Sequence, residues 1–198
     1  MRNPRLLLGA LVVSAFVSAA GCGPASFPDQ SAVAAAQAGW CQALAKMNGG
    51  TSWEQWEHLR ACKDATPTGS AAYVRGMTKC FPARREAHGD SAPDVGIMVA
   101  ECKDEVLFKL TIDEVAAQEA IAARCDRAAR CEKASVPECV AAAKRTDPAQ
   151  RATLYGIYNG GAIHSISECL RSSACGADEY AAQESCYRGP VEKLLWFP

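Results

Sequence analysis

The sequence predicts an all-α protein, a disulfide-stapled helical bundle of two similar multi-helix modules. Apolar residues recur at intervals of three and four along most of the chain, which is the period of an amphipathic helix. Alanine is abundant, whereas phenylalanine and isoleucine are few, and this composition favours helices with small-residue contacts. Ten of the eleven cysteines lie downstream of residue 40, and they fall on the same faces of the predicted helices as the apolar residues.

The first 21 residues are predicted to be a signal peptide. Arg2 and Arg5 form a short positive region, residues 6–17 are apolar, and residues 18–21 are small. The apolar stretch is shorter than the roughly 20 residues that a membrane-spanning helix needs. Arg2 and Arg5 are not adjacent, so the twin-arginine type of signal is not expected.

The tetrapeptide Ala19-Ala20-Gly21-Cys22 resembles the lipobox of bacterial lipoprotein precursors. The resemblance implies cleavage before Cys22 and attachment of lipid, such as palmitate, to its thiol and its new amino group. Two or more acyl chains anchor a protein stably, so the implied partner is the lipid bilayer of the cell membrane or the outer membrane. The alternative is cleavage after the alanines, which leaves Cys22 as a free thiol or a disulfide partner.

Residues 22–30 are predicted to be the lipidated cysteine and a linker with two prolines. The full sequence has a formal net charge of −1, and removal of Arg2 and Arg5 with the signal peptide makes it −3. This nearly neutral balance argues against nucleic acid as a partner. From the signal peptide and the lipid anchor, we expect the body outside the cytoplasm, near a membrane of the cell envelope. An envelope protein is a further expected partner.

Residues 31–110 form the first predicted module, with four helices and four cysteines. The signals that divide its helices are, in chain order, the stop at 48–50, the capping box at 51–54, the turn at 66–69, the stop at Pro82 and the start at 91–94. Residues 105–110 fit either the end of the fourth helix or a short extended segment.

Residues 111–198 form the second predicted module, with six cysteines. Its signals are, in chain order, the capping box at 111–114, the cap at 135–138, the Asp147-Pro148 start, the stop at 159–161 and the closing Gly189-Pro190. The apolar residues 194–197 are expected to dock on the bundle, and a sticky partner site is the alternative.

The number of cysteines is odd, and the lipobox explains why. With Cys22 set aside for lipid, the remaining ten suit five disulfides in an exported chain. Close C-x-x-C pairs, which zinc sites and thioredoxin-like centres use, are missing from the sequence. We therefore expect no structural metal and no cofactor.

The two modules also predict how the cysteines pair. We match Cys41, Cys62, Cys80 and Cys102 to Cys125, Cys139, Cys169 and Cys186, in that order. Cys131 and Cys175 have no counterpart, since Met47 and Glu86 stand at the matching positions, and this joint absence predicts a Cys131–Cys175 bond. Bonding of Cys131 to Cys139 across the short loop is the alternative.

Four cysteines in each module allow three pairings, and a nested scheme is attractive if the first and fourth helices are antiparallel. It joins 41–102, 62–80, 125–186 and 139–169. The whole pattern resembles cysteine-rich helical lipoproteins of Gram-negative bacteria, and this resemblance implies no activity.

Catalytic signatures such as G-x-S-x-G, Walker A and G-x-G-x-x-G are missing from the sequence. The histidines, His58, His88 and His164, are expected to be surface or satisfied residues, because a general base needs an oriented partner. The acidic pairs at 104–105 and 178–179 are expected to be solvated or first-turn charges. Trp56 is expected in the core with Trp53 covering its edge, and an exposed aromatic platform is the alternative.

Three functions remain compatible with the sequence. The favoured one is a membrane-anchored, non-enzymatic binding or structural module of the cell envelope. The second is a small-ligand carrier with a cavity between the modules, and the third is an enzyme whose site has no recognisable motif. A large apolar cavity would favour the carrier, and a buried, bonded histidine–carboxylate pair would favour the enzyme.

Overall fold

The computed structural model describes residues 29–47, 52–65, 67–89, 95–176 and 179–195. This part of the chain is built from helices, with one isolated antiparallel bridge between Gly69 and Tyr158. The predicted signal peptide, Cys22 and the caps at Thr51 and 91–94 lie outside the described residues. None of the helices within those ranges is long and apolar enough to cross a membrane.

The predicted all-α class with five disulfides is confirmed. The helices of the first module are α1 (Gln30–Met47), α2 (Ser52–Asp64), α3 (Ala71–His88) and α4 (Val95–Phe108). Those of the second are α5 (Glu114–Glu132), α6 (Val136–Lys144), α7 (Pro148–Arg151), α8 (Gly160–Ser172) and α9 (Glu179–Glu192), with a π-helical turn at Ala152–Gly156 between α7 and α8. Residues 105–108 belong to α4, so the extended alternative is wrong there.

The order of disulfide bonding is the same in the two modules. One bond joins the first helix to the second, as Cys41–Cys62 in one module and Cys125–Cys139 in the other. Another joins the cysteine on α3 or α8 to the helix that follows it, as Cys80–Cys102 and Cys169–Cys186. In addition, α1 packs mainly against α3, and α5 against α8.

The nested pairing of 41–102, 62–80, 125–186 and 139–169 is wrong. It assumed that the first and fourth helices are antiparallel neighbours, whereas α5 packs on α8. These two helices run in the same direction, because Glu119 meets His164 and Arg127 meets Ser173 further along both. Each remaining helix then folds back beside its neighbour in sequence, and the bonded Cα atoms of the four pairs are 5.6 Å apart.

The predicted Cys131–Cys175 bond is present, with a Cα–Cα distance of 4.9 Å. The bond does not lie between the first and last helices of the module, where the nested scheme would place it beside 125–186. Cys131 lies in the last turn of α5, and Cys175 follows the end of α8. The bond therefore fastens the segment after α8 to the end of the parallel helix beside it.

The core is continuous through both modules and rests on close helix contacts. In the first module, the buried rings of Trp40 and Phe81 meet edge to face with their centroids 5.6 Å apart. A Cβ atom at Gly76 would lie 2.7 Å from Val106 Cγ1. Gly76 therefore allows α3 and α4 to approach more closely than any larger residue would.

Two prolines that were predicted to end helices lie inside them. Helix α3 continues past Pro82 to His88, and α9 continues past Pro190 to Glu192. Gly89 ends α3 instead, with a φ of 56° and its N–H bonded to the carbonyls of Arg85 and Glu86. We attribute the passage through Pro82 to the packing of α3 against α1 and α4, which outweighs the loss of one backbone hydrogen bond.

Two predicted helix signals act at other positions. Asp113, rather than Thr111, caps α5 by accepting hydrogen bonds from the N–H groups of Val115 and Ala116. Asn159 begins α8 rather than ending the preceding helix. Asparagine is as good at a helix start as at a helix end, so the residue type alone did not decide between them.

Trp56 does not lie in the core. Its side chain is 48% exposed, and the Arg60 guanidinium lies 5.7 Å from the ring centroid. The ring lies beside a cation of its own helix, while Trp40 occupies the core of this module. The side chains of Trp53 and His58 lie outside the described set.

Candidate functional site

The two modules meet at the segment 67–70, which connects α2 to α3. The N–H of Asn159 donates to the carbonyl of Thr68 at 2.8 Å, and the N–H of Ser70 donates to the carbonyl of Ile157 at 2.7 Å. These bonds flank the bridge between Gly69 and Tyr158. A segment of the first module is thus paired with the connection that leads into α8.

The side-chain amide of Asn159 makes hydrogen bonds to both modules at this junction. Its Oδ1 accepts from the N–H of Ala162 at 2.9 Å, which caps α8, and its Nδ2 donates to the carbonyl of Pro67 at 2.8 Å. One residue therefore starts a helix of the second module and holds a loop of the first. In the sequence, the Asn159-Gly160-Gly161 triplet predicted a helix end and gave no indication of this role.

The end of α9 closes the junction from the other side. Thr68 donates from its N–H to the carbonyl of Lys193 at 3.1 Å, and from its hydroxyl to the carbonyl of Pro190. A Cβ atom at Gly69 would lie 2.6 Å from the carbonyl oxygen of Leu194. Leu195 is buried, so the predicted docking of the apolar tail holds as far as this residue; Trp196 and Phe197 lie outside the described part.

Four tyrosines fill the interior behind this junction. The rings of Tyr158 and Tyr187 meet edge to face at 5.6 Å. Burial raises the pKa of Tyr73 to about 12, and it also raises the pKa of Tyr155, Tyr158 and Tyr187. These phenols are therefore neutral at physiological pH.

A cleft of about 520 Å³ opens at the surface of the junction. Its walls come from α1, the segment 67–70, α8 and the end of α9, so neither module forms it alone. Apolar lining is supplied by Val33, Ala34, Pro67, Ala162 and Pro190. Ligand pockets of proteins commonly have volumes of roughly 300–1,000 Å³ and mainly apolar walls.

The polar groups at the cleft include two opposite charges, Asp29 and Lys193. Asp29 Oδ2 accepts from the N–H of Gly160 at 3.3 Å, at the start of α8, and the Asp29 carbonyl accepts from the N–H of Val33. Lys193 is exposed. Asp29 lies seven residues after Cys22 in the sequence.

A second groove of about 550 Å³ lies between α3 and α4 and carries more positive charge. The Glu105 carboxylate accepts from Lys109 Nζ at 2.9 Å and from Arg84 Nη2 at 3.2 Å. Both contacts hold the pKa of Glu105 below its ordinary value, with the Lys109 hydrogen bond as the larger cause. Glu105 thus balances part of the charge, and Lys79 adds a third cation to the groove.

His164 has two carboxylate partners. Its Nδ1 lies 2.8 Å from Glu119 Oε1, and its Nε2 lies 3.4 Å from Glu168 Oε1. The side chains of His164 and Glu119 are 40% and 31% exposed, so this is not the buried pair that would favour an enzyme. Ser165 is next to it in the chain, but its hydroxyl donates to the carbonyl of Gly161.

The other sequence-predicted residues lie apart from the cleft. His88 Nε2 lies 3.6 Å from Glu101 Oε2 on the neighbouring helix α4. The ten cysteines of the body are all bonded in pairs. Among the described residues, no group of three histidine, cysteine or acidic side chains could hold a metal ion.

Comparisons of the chain with models of protein families, with curated proteins and with solved structures found no match.

Proposed function

We propose that the chain is an exported lipoprotein whose body is a non-enzymatic binding module of the cell envelope, with the cleft between the modules as its binding surface. The observation that carries the proposal is this cleft, which is lined by Asp29, seven residues after Cys22 in the sequence. The five disulfides support the compartment, since such bonds persist in oxidising environments outside the cytoplasm.

The disulfide pattern supports lipidation of Cys22. The sequence has eleven cysteines, and the ten at and beyond Cys41 bond with one another in the body. Cys22 is the remaining one, and it follows the lipobox-like residues 19–21. Because the other ten cysteines bond with one another, Cys22 has a thiol available for covalent attachment of lipid.

The length of the linker places the cleft close to the bilayer. Asp29, which lines the cleft, lies seven residues after Cys22. A fully extended chain spans at most about 3.6 Å per residue, so Asp29 would lie within roughly 25 Å of the lipidated sulfur. A partner in the cleft would therefore be a molecule found at the membrane surface.

The cleft also supports the second candidate function, a small-ligand carrier. Its volume of about 520 Å³ falls in the ordinary range for small-molecule sites, and its walls combine apolar surface with Asp29 and Lys193. An enzyme is the least supported function. Both ring nitrogens of His164 lie near carboxylates of partly exposed side chains, and this is not the buried histidine–carboxylate pair that would favour an enzyme.

A photo-cross-linking amino acid tests the cleft in the full-length, membrane-anchored protein. Placed at Ala34, it lies on an exposed position of α1 that lines the cleft. The matched control is Ala35, which is equally exposed on the same helix and does not line it. We expect an adduct from position 34 and not from position 35, and its mass separates a protein partner from a small ligand. Equal adducts at both positions, or none, would contradict the proposal.

A further inference from the structure

We infer that the Cys131–Cys175 disulfide is a site of thiol–disulfide exchange, with the Cys175 sulfur as the atom attacked by a dithiol partner. Among the ten half-cystines of the body, Cys175 is the exposed one. Each of the other four disulfides includes at least one cysteine that is buried. A folded oxidoreductase can approach an exposed half-cystine, whereas the buried pairs are shielded by the core.

The position of Cys175 in the fold adds to its access. Helix α8 ends at Ser172, and Cys175 lies in the irregular segment that follows it. Cys131 is half-buried in the last turn of α5. The bond thus joins a surface segment to a helix end, while every other disulfide of the body joins two helices.

Two arginines of α5 bind the residues that directly precede Cys175 in the chain. The buried side chain of Arg127 donates from Nε to the hydroxyl of Ser173 at 2.8 Å and from Nη2 to the carbonyl of Ala174 at 3.3 Å. Arg130 donates from Nη2 to the carbonyl of Ser173 at 3.0 Å. Glu132 balances part of this charge through a 3.3 Å contact with Arg127.

Cationic neighbours stabilise a thiolate, so they favour Cys131 as the leaving group when the bond opens. The same hydrogen bonds hold the segment 171–174 against α5 without help from the disulfide. Cys175 would therefore stay near Cys131 after reduction, and the bond could form again.

The arrangement of the helices does not depend on the Cys131–Cys175 bond. The first module has the same order of the other two disulfides, with Met47 and Glu86 at the positions that match Cys131 and Cys175. Opening of the bond is thus compatible with a folded second module. This property separates it from the four disulfides that both modules share.

The exchange reaction needs a partner with two thiols. A partner thiolate attacks Cys175 Sγ and forms a mixed disulfide, while Cys131 leaves as a thiolate and takes a proton from water. The second partner thiolate then attacks the partner's first sulfur in the mixed disulfide, and Cys175 leaves as a thiolate that takes a proton from water. Two electrons pass to the protein, which gains two thiols, and the partner becomes a disulfide.

Differential alkylation of the native protein tests this inference. The protein is incubated with increasing amounts of reduced dithiothreitol or thioredoxin, quenched with iodoacetamide and mapped by mass spectrometry. We expect Cys131 and Cys175 to be labelled first, with an unchanged far-UV circular dichroism spectrum. Labelling of another pair first, or of all pairs together as the helical signal is lost, or of none, would overturn the inference.

A trapping experiment identifies the attacked sulfur. A thioredoxin whose resolving cysteine is replaced by serine should form a mixed disulfide with Cys175, and a mixed disulfide with Cys131 would overturn that assignment. Arg130→Gln should slow the reduction about threefold, because a less stabilised thiolate leaves more slowly. Arg145→Gln, at the end of α6, is the matched control and should leave the rate unchanged.

Discussion

Asn159 joins the two modules to each other, since its Nδ2 donates to the carbonyl of Pro67 while its Oδ1 caps α8. The first bond crosses from the second module to the first, and the second stays within α8. The two halves of one amide thus connect the folding of a helix to the position of a loop that lines the cleft. Substitutions can separate these two contributions.

We expect Asn159→Ala to lower the free energy of unfolding by about 2 kcal/mol, because it removes the helix cap and the bond to Pro67. Asn159→Ser should cost about 1 kcal/mol, since serine caps a helix but does not reach Pro67. Denaturation in guanidinium chloride measures both values. The interpretation of the junction is wrong if the two variants are equally unstable.

Removal of the Cys131–Cys175 bond should weaken the body without changing its fold. The double variant Cys131→Ser/Cys175→Ser should lose about 2–4 kcal/mol of stability and keep its helical circular dichroism spectrum. A single Cys131→Ser variant should be worse, since the free thiol of Cys175 can exchange into wrong pairs during export. The double variant Cys41→Ser/Cys62→Ser is the comparison. It should lower the free energy of unfolding by more, because both residues are buried. An equal or smaller loss there would contradict this account.

Stability should fall above pH 10 because of the buried phenols. Burial raises the pKa of Tyr73 from 10.0 to about 12, so the unfolded chain ionises first and gains stability relative to the folded protein as the pH rises. Tyr73 alone should cost about 2 kcal/mol by pH 12, and its contribution is fully retained below pH 10. Tyr73→Phe should therefore reduce the alkaline loss measured by denaturation at pH 8 and pH 11. Tyr180→Phe, at a side chain that is 77% exposed, is the control, and an equal effect there would refute the assignment.

The helices and their order could be predicted from the sequence because the apolar spacing that marks them is local. The Cys131–Cys175 bond could also be predicted from the sequence, because Met47 and Glu86 replace both partners together in the first module. The other pairings depend on which helices are neighbours. That choice is made by tertiary packing, and the assumption of antiparallel first and fourth helices was wrong.

The cleft was not predictable in its particulars. It is formed by α1, the segment 67–70, α8 and α9, which come together only in the folded body. Asn159 carried a signal, but its triplet with two glycines fits a helix end as well as a helix start. Pro82 and Pro190 were misjudged for a different reason, because contacts with other helices outweigh a local preference.

Mass spectrometry of the N-terminal peptide tests most directly the claim that this is a lipid-anchored envelope protein. Trypsin should release a peptide from Cys22 to Lys46, since no arginine or lysine lies between them. After reduction of the Cys41 disulfide, the account predicts that this peptide carries acyl mass on Cys22 and that the protein fractionates with membranes. Cys22→Ser should abolish both, whereas Ser26→Ala should leave both unchanged. A wild-type peptide with an unmodified Cys22 thiol, from protein in the soluble fraction, would contradict the account.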